Sequence, residues 1–596
     1  MKGLSHPVVV TTVVFTLFLN PLYAQVPDAS WQWTWMHGND TRGNYGVYGT
    51  PGVPAAANTP GGRGSSFRWT DTLGNFWIFG GSGYANSATG QLNDLWKYDI
   101  TTHEWTWMKG DTIRNAPGKR SAQGVSHPDN VPGGRYGSAH WRDADGNFWL
   151  FGGYGFCGIY SGSLGDLWKY DIATNEWTWI KGDTLPNRLG VYGTKGVPDV
   201  ANTPSGRYGT ACWTDAAGNF WLLGGTARYR TSTGGNGSAE INDLWRYNPN
   251  TNEWTWMHGD SVACVAPVTG TQGTPAAAKM PPGLGLMAFW TDASGDFWLY
   301  GGMNYCTGTR QRFSDLWRYT PATNMWTWVK GAMMNNEPAV HGVQRVGAAT
   351  NTPGAREMTP ATWTDAAGNL WLLGGENQSG IYNDLWKYEI ATNQWSWIKG
   401  DNTPTMVTLL GVYGTRRVGA AANKPGHRQL GAATWTDAHG SLWLFGGRST
   451  GTGVGDLNDL WRLAPECTLL AHQGPITGPD TICTGQPYTY SIPGINGALN
   501  YTWSWPAGWT GSSNGTTLTV TPDFTDGTIR VFATNLCDTS NEQYLDVTVI
   551  QAEPLEITVN HDTLGTLASY DSYQWYKDGQ PIAGATSRTH VVYENA

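Results

Sequence analysis

Charge is scarce in this chain of 596 residues: Asp, Glu, Lys and Arg together make up 14% of it and leave a net charge of −9. With so little positive charge, and none of it clustered, a nucleic-acid surface is excluded. Long apolar runs are equally rare. The run from Val8 to Leu19 falls short of the roughly 20 residues that cross a bilayer, and no later stretch reaches that length. Lys2 precedes the run and Leu22-Tyr23-Ala24 follows it, so residues 1–24 read as an export signal cut before Gln25. That predicts a secreted or cell-surface protein with no transmembrane segment after cleavage. Nowhere is there a nucleophile triad, a phosphate-binding glycine loop or a metal-ligand motif. The chain is therefore read as needing no cofactor and as leaning away from catalysis.

Glycine and tryptophan, by contrast, are abundant, at 80 and 35 residues. Much of both sits in one phrase, WRDADGNFWLFGG, from Trp141 to Gly153, with close copies beginning at Trp69, Trp213, Trp290, Trp363 and Trp435. Successive starts are separated by 72, 72, 77, 73 and 72 residues, a repeat that governs the reading of everything else. Phe148 to Phe151 is aromatic or aliphatic throughout, the composition of a strand buried on both faces. Asp143 to Asn147 supplies turn-forming residues ahead of it, and Gly152-Gly153 ends the strand because glycine leaves the ladder without a Cβ clash. A second phrase, NDLWKYDITTHEWTW from Asn93 to Trp107, recurs after a variable gap. Asp94, Trp96 and Tyr98 alternate with Leu95 and Lys97 as in a strand, and Trp105 and Trp107 share one face of a further strand. With the segment leading into each first phrase, such as Gly134 to Trp141, one repeat holds four antiparallel strands.

Four-stranded units repeated in this way are the blades of a β-propeller. The Gly-Gly after an aromatic-aliphatic strand, the Asp-Leu-x-x-Tyr-Asp phrase and the later Trp resemble the kelch repeat over roughly Trp31 to Pro465. A kelch repeat is typically about 50 residues, so these repeats carry long insertions. The fold expected is all-β, with residues 25–466 forming a six-bladed kelch-type β-propeller. Its sixth copy ends at Asn458 to Glu466 without a Trp-Thr-Trp strand, whereas an unpartnered WQWTW stands at Trp31 to Trp35. That N-terminal strand is expected to become the outer strand of the last blade and close the ring.

Beyond Glu466 the composition changes to short strands separated by Gly, Pro, Asn and Ser turns, the pattern of a β-sandwich over residues 467–552. The Cys483 to Tyr488 segment, Tyr501 to Trp509 and Asn535-Leu536-Cys537 resemble the PKD-like and immunoglobulin-like modules of large bacterial surface proteins. A second immunoglobulin-like module begins in residues 553–596, with Tyr573 to Thr586 as its central strand and turn. It is too short to be complete, so the chain is read as a fragment of a longer, anchored protein.

In a propeller blade the loop joining strands two and three and the loop into the next blade share one face, and both are long here. The segments Gly46 to Arg63, Gly190 to Arg207 and Gly411 to Arg428 are versions of one another and are expected to build scaffold. The freely varying connections, such as Thr226 to Glu240 and Asn304 to Arg312, are better placed to set specificity. Arginine recurs where the loops enter the first strand, at Arg63, Arg135, Arg207, Arg356 and Arg428, with Leu284 in the fourth copy and Arg310 and Arg312 nearby. Such a partial ring would bind a carboxylated or sulfated ligand through bidentate hydrogen bonds. The equally regular Asp94, Asp166, Asp243, Asp315, Asp384 and Asp459 would instead neutralise it. The repeated tryptophans are assigned to packing between blades. Tyr84, Phe156, Tyr160, Tyr229, Tyr305 and Tyr382, outside the repeat grammar, are candidates to stack on a sugar or a partner.

Export makes disulfides possible among the seven cysteines. Cys264 is read as pairing with Cys306, Cys157 with Cys212, and Cys483 with Cys537, leaving Cys467 over; Cys212 reads equally well as a small buried residue. Kelch propellers include copper radical oxidases resembling galactose oxidase, but no Tyr-His dipeptide occurs here and His127, His341 and His427 are scattered. Others resemble sialic-acid mutarotases, and for those the carboxylates Glu357 and Glu376, beside Arg356, are the weak catalytic candidates. The function expected is extracellular binding of a glycan or protein through the loop-rich face. A carbohydrate-active enzyme and a structural surface protein are the alternatives.

Overall fold

Each repeat begins with an aspartate that builds its own turn. In the computed structural model the Asp71 carboxylate accepts the backbone N–H groups of Leu73 and Asn75, both at 2.9 Å, and the Trp77 indole N–H at 2.9 Å. Gly74 takes the positive φ of 84° that the turn needs. Asp143, Asp215, Asp292, Asp365 and Asp437 hold Trp149, Trp221, Trp298, Trp371 and Trp443 in the same way. One carboxylate thus closes each hairpin and aims its next tryptophan.

The structure describes residues 31–231, 235–406, 411–449, 455–465, 474–495, 498, 500–534, 540–550, 555–567, 569 and 571–592; the expected signal segment 1–24 lies outside them. Every regular element among the described residues is a strand. The chain divides into two units, residues 1–466 and 467–596.

In the first unit the hairpins extend into six antiparallel sheets. The first runs Phe67–Thr70, Phe76–Tyr84, Thr89–Asp99, Glu104–Lys109. Four more sheets repeat this order in sequence. In the last, Ala433–Thr436, Leu442–Phe445 and Leu460–Pro465 are joined by a fourth strand from the other end of the described chain, Trp31–His37. There Trp33 faces Leu463 and Trp35 faces Trp461. Trp33 is buried and Trp31 stacks on Trp371 of the fifth sheet at 5.6 Å.

Tryptophan joins each sheet to the next. Trp69 lies flat on Phe148 of the second sheet, centroids 4.8 Å apart, and its indole N–H donates to the Trp141 carbonyl at 2.8 Å. Trp141 donates to the Trp221 carbonyl, Trp213 to Trp290, Trp290 to Trp371 and Trp363 to Trp443. Trp435 then stacks on Phe76 and donates to the Trp69 carbonyl, so the sixth sheet meets the first. The first strands lie side by side in the same cyclic order.

The inserted loops cover what would be open sheet edges. Ala55 bridges Trp105 of the fourth strand, whose carbonyl also accepts the Asn58 side-chain amide at 3.0 Å. Asn130, Asn202, Asn351 and Asn423 do the same for Trp177, Trp254, Trp395 and Trp33.

A disulfide joins Cys264, in the loop before the fourth sheet, to Cys306 in that sheet's hairpin, with Cα atoms 5.1 Å apart. The pairing expected between Cys157 and Cys212 is not formed. Cys157 sits in a hairpin, donating to the Thr184 carbonyl, while Cys212 points inward from a first strand and donates to the His140 carbonyl. Cys483 is unpaired among the described residues; Cys467 and Cys537 lie outside them.

In the second unit, Thr481–Cys483, Gln543–Ile550, Gly527–Thr534 and Asn500–Ser504 form one sheet and Tyr488–Ser491, Thr517–Thr521 and Thr510–Asn514 another. Their shared core holds Tyr490, Trp503, Leu518, Val520, Ile529 and Val531. Three further strands, Ile557–Asn560, Thr563–Thr566 and Thr589–Val591, make a separate small sheet.

Deleting residues 31–37 removes a whole strand and its buried tryptophans from the sixth sheet. The thermal midpoint of the first unit is expected to fall by on the order of 10 °C or more, and Trp33→Ala alone to cost about 3–5 kcal/mol in denaturant unfolding.

Candidate functional site

The loops before each first strand converge with the hairpins that follow each Gly-Gly, and this end of the first unit is the mouth. Its frame is a set of buried ion pairs. Arg63 Nη1 and Nη2 donate to the two carboxylate oxygens of Asp94 at 2.6 and 2.7 Å, Nη1 also to the Gly80 carbonyl and Nε to the Gly61 carbonyl. Trp96 and Tyr48 donate to the same carboxylate. Arg135–Asp166, Arg207–Asp243 and Arg428–Asp459 repeat the bidentate pair, and Arg356 holds Asp384 at 2.6 Å with its guanidinium 3.3 Å over the Tyr382 ring. The five arginines are at most 2% exposed. This corrects the ligand-binding role expected of Arg63, Arg135, Arg207, Arg356 and Arg428: their guanidinium groups are occupied by aspartate and shut away from solvent. Tyr382 is likewise corrected, being buried between Arg356 and the Asn377 amide.

The fourth sheet lacks its arginine, and neither Arg310 nor Arg312 replaces it. Leu284 is buried at that place, and Asp315 accepts the Met333 N–H in place of a guanidinium. Its Oδ2 and the Trp317 indole are left without partners among the described residues. Burial pushes the Asp315 carboxyl up to about 6.

Two residues past each arginine, and past Leu284 in the fourth sheet, the backbone turns left-handed, with φ of 53° at Ser65, 69° at Gly137, 68° at Gly209, 57° at Leu286, 64° at Met358 and 53° at Leu430. Backbone hydrogen bonds join neighbouring sheets there: Gly137 donates to Ser65, Gly209 to Gly137, Leu286 to Gly209, Thr359 to Leu286, Gly431 to Met358 and Ser65 to Leu430, at 2.8–3.2 Å. These bonds link six equivalent turns from sheet to sheet, and with them the position just before each turn.

The side chains at those positions differ from sheet to sheet. Directly after the arginine stand Gly64, Tyr136, Tyr208, Gly285, Glu357 and Gln429, each bridged to the residue after Gly-Gly: Ser82, Tyr154, Thr226, Met303, Glu376 and Arg448. Tyr136, Tyr154 and Tyr208 come together, ring centroids 5.6–5.9 Å apart and half-buried. In the fifth sheet Glu357 is fully buried, held by Arg312 and by Arg310 at 2.8 Å, while Glu376 lies 3.7 Å from Arg310. Burial raises both glutamate pKa values against the pull of the two arginines. Arg448 pairs with Asp456 at 2.8 Å. The mouth is therefore aromatic over the second and third sheets and ionic over the fifth and sixth.

Of the candidates at the mouth, Glu357 and Glu376 are brought together. Tyr160 and Tyr305 are about half exposed on hairpins, Tyr229 is half-buried, and Tyr84 meets Tyr45 edge to face at 5.4 Å. The sequence reading missed Tyr136, Tyr154 and Tyr208, although a changing residue next to an unchanging arginine was a usable signal.

Residues 469–547 match the model of a PKD-like domain. The chain is also similar to Kelch domain-containing protein 10 of Bos taurus and of Homo sapiens, in each case 24% identical over 360 residues, covering 52% of this chain and 72% of theirs. The architecture combines a kelch-like part with a PKD-like domain, in an all-β chain.

Removing one partner of a buried pair leaves a stranded charge, so Arg428→Ala is expected to lose about 3–5 kcal/mol in denaturant unfolding. Asp315 behaves in the opposite sense. Between about pH 4 and pH 6 the folded protein keeps a proton that the unfolded chain has released, so stability falls as pH rises through that window. Asp315→Asn should be more stable than the parent at pH 7.5, by about 2 kcal/mol, and equal to it near pH 3.5.

Proposed function

We propose that the six sheets are the blades of a six-bladed kelch-type propeller closed by its N-terminal strand, and that its mouth is the binding surface of an exported protein. The Trp435-to-Trp69 hydrogen bond and the pairing of Trp31–His37 with Leu460–Pro465 support the closed ring. The ligand proposed is an extracellular glycan, with the PKD-like and following immunoglobulin-like modules as spacers toward the cell surface. A protein partner is the other ligand class for the same face.

One observation carries this reading. A frame that repeats almost without change holds six bridged pairs of positions whose side chains do not repeat, and three of the variable side chains form the Tyr136–Tyr154–Tyr208 cluster. Packing alone needs no such divergence. Tyrosine rings offer the flat apolar faces on which sugars stack, and the neighbouring carboxylates and guanidinium groups supply directional hydrogen bonds.

The Glu357–Glu376 pair supports a second reading, a carbohydrate-active enzyme in which a carboxyl of raised pKa transfers a proton. Glu376, partly exposed, is the member a substrate can reach.

A glycan array probed with the full chain, followed by turnover assays on whatever binds, separates these readings. Tyr136→Ala with Tyr208→Ala is expected to weaken glycan binding at least tenfold with little change in thermal midpoint. Retained affinity would overturn the aromatic platform. Turnover abolished by Glu376→Gln would favour the enzyme, and absence of any glycan bound would turn the proposal to a protein partner.

A further inference from the structure

At the end of the first strands away from the mouth, the second and fourth residues of each strand turn inward while the first and third pack between sheets. The second residues are Arg68, His140, Cys212, Phe289, Thr362 and Thr434; the fourth are Thr70, Arg142, Thr214, Thr291, Thr364 and Thr436. Among them lies a cavity of about 250 Å³ lined by Arg68, Cys212, Phe289, the threonines of the last three strands, and Trp213, Trp290, Trp363 and Trp435.

Arg68 differs from the arginines of the frame. Among the described residues its guanidinium has no ion pair, and no carboxylate lines the cavity. Its titratable neighbours are uncharged near neutral pH: burial pulls the His140 imidazole down to about 3 and pushes the Cys212 thiol up to about 11. Burial also lowers Arg68 itself to about 10, which leaves it a cation. On the same side of the His140 strand, the buried Nε of Arg142 is without a partner among the described residues. Thr434 and Thr364 give their hydroxyl protons to the Thr362 and Thr291 carbonyls, so among the lining threonines donation into the cavity falls to Thr291, Thr362 and Thr436. Arg68 is half-buried, and a cation partly withdrawn from water without a counterion is costly; a bound anion removes that cost.

We propose that this cavity is a site for a small free oxyanion of the sulfate or phosphate class, held by the Arg68 guanidinium and by the hydroxyls of Thr291, Thr362 and Thr436. It is independent of the mouth and of whatever binds there. Bound, the ion would add a further tie between first strands already joined by packing and hydrogen bonds.

The test is the thermal midpoint of the full chain titrated with sodium sulfate against sodium chloride at matched ionic strength, with isothermal titration calorimetry on the same samples. The parent should show a saturable rise with sulfate and a one-site isotherm. Arg68→Met should lose both, while its midpoint in chloride equals or exceeds that of the parent, because an uncompensated cation has gone. Arg68→Lys, which keeps the charge without the fork, should bind at least tenfold more weakly. The exposed Arg530→Gln should respond as the parent does. An equal sulfate response in parent and Arg68→Met, no response in the parent, or a fall of the Arg68→Met midpoint in chloride would each overturn the site.

Discussion

The buried arginine–aspartate pair is the constraint on which the first unit depends. Each arginine joins the segment leading into a first strand to a third-strand aspartate, and Arg63, Arg135, Arg207 and Arg428 also reach the carbonyl of the first glycine at the Gly-Gly corner. Neither charge reaches water, so each needs the other and each needs its additional hydrogen bonds. Tyr48, Tyr192 and Tyr413 donate to three of these aspartates and His341 contacts a fourth, fastening the inserted loops to the same point. With those loops fastened, their asparagines meet the outer strands and the sheet edges are covered.

That frame explains how the mouth can vary. Position is set by buried pairs and by backbone hydrogen bonds between neighbouring sheets, neither of which involves the side chains that face outward. Tyrosine, glutamate, glutamine and glycine therefore occupy equivalent places without altering the backbone. The fourth sheet marks the limit of this tolerance. Leu284 fills the space of an arginine but leaves Asp315 uncompensated, and the disulfide Cys264–Cys306 constrains the loop and hairpin of that sheet.

The two ends of the first strands follow different chemistry. At the mouth, charge is matched: Arg310 and Arg312 against Glu357 and Glu376, Arg448 against Asp456. At the opposite end, Arg68 faces a neutral imidazole, a neutral thiol and hydroxyl groups. A polar cavity with unmatched positive charge favours an anion from solution, whereas the matched mouth favours a larger neutral or mixed surface.

Much of the architecture was written in short stretches of sequence, where neighbours along the chain decide the outcome. The Asp-x-x-Gly turn, the apolar strand ended by two glycines, and the alternation around Trp96 are local, so periodicity alone located the strands and counted the sheets. The stray WQWTW likewise announced its partner, because only the last repeat lacked that strand. Side-chain pairing could not be read this way. Whether Arg63 meets Asp94 or a ligand depends on two strands 31 residues apart coming within 3 Å, and sequence placed both roles on the same residue. The meeting of Tyr136, Tyr154 and Tyr208, the turning of Arg310 and Arg312 to Glu357 rather than to Asp315, and the isolation of Arg68 were likewise decided only in three dimensions. Each depends on which groups share a buried space, and that space is made by different strands and sheets packing together.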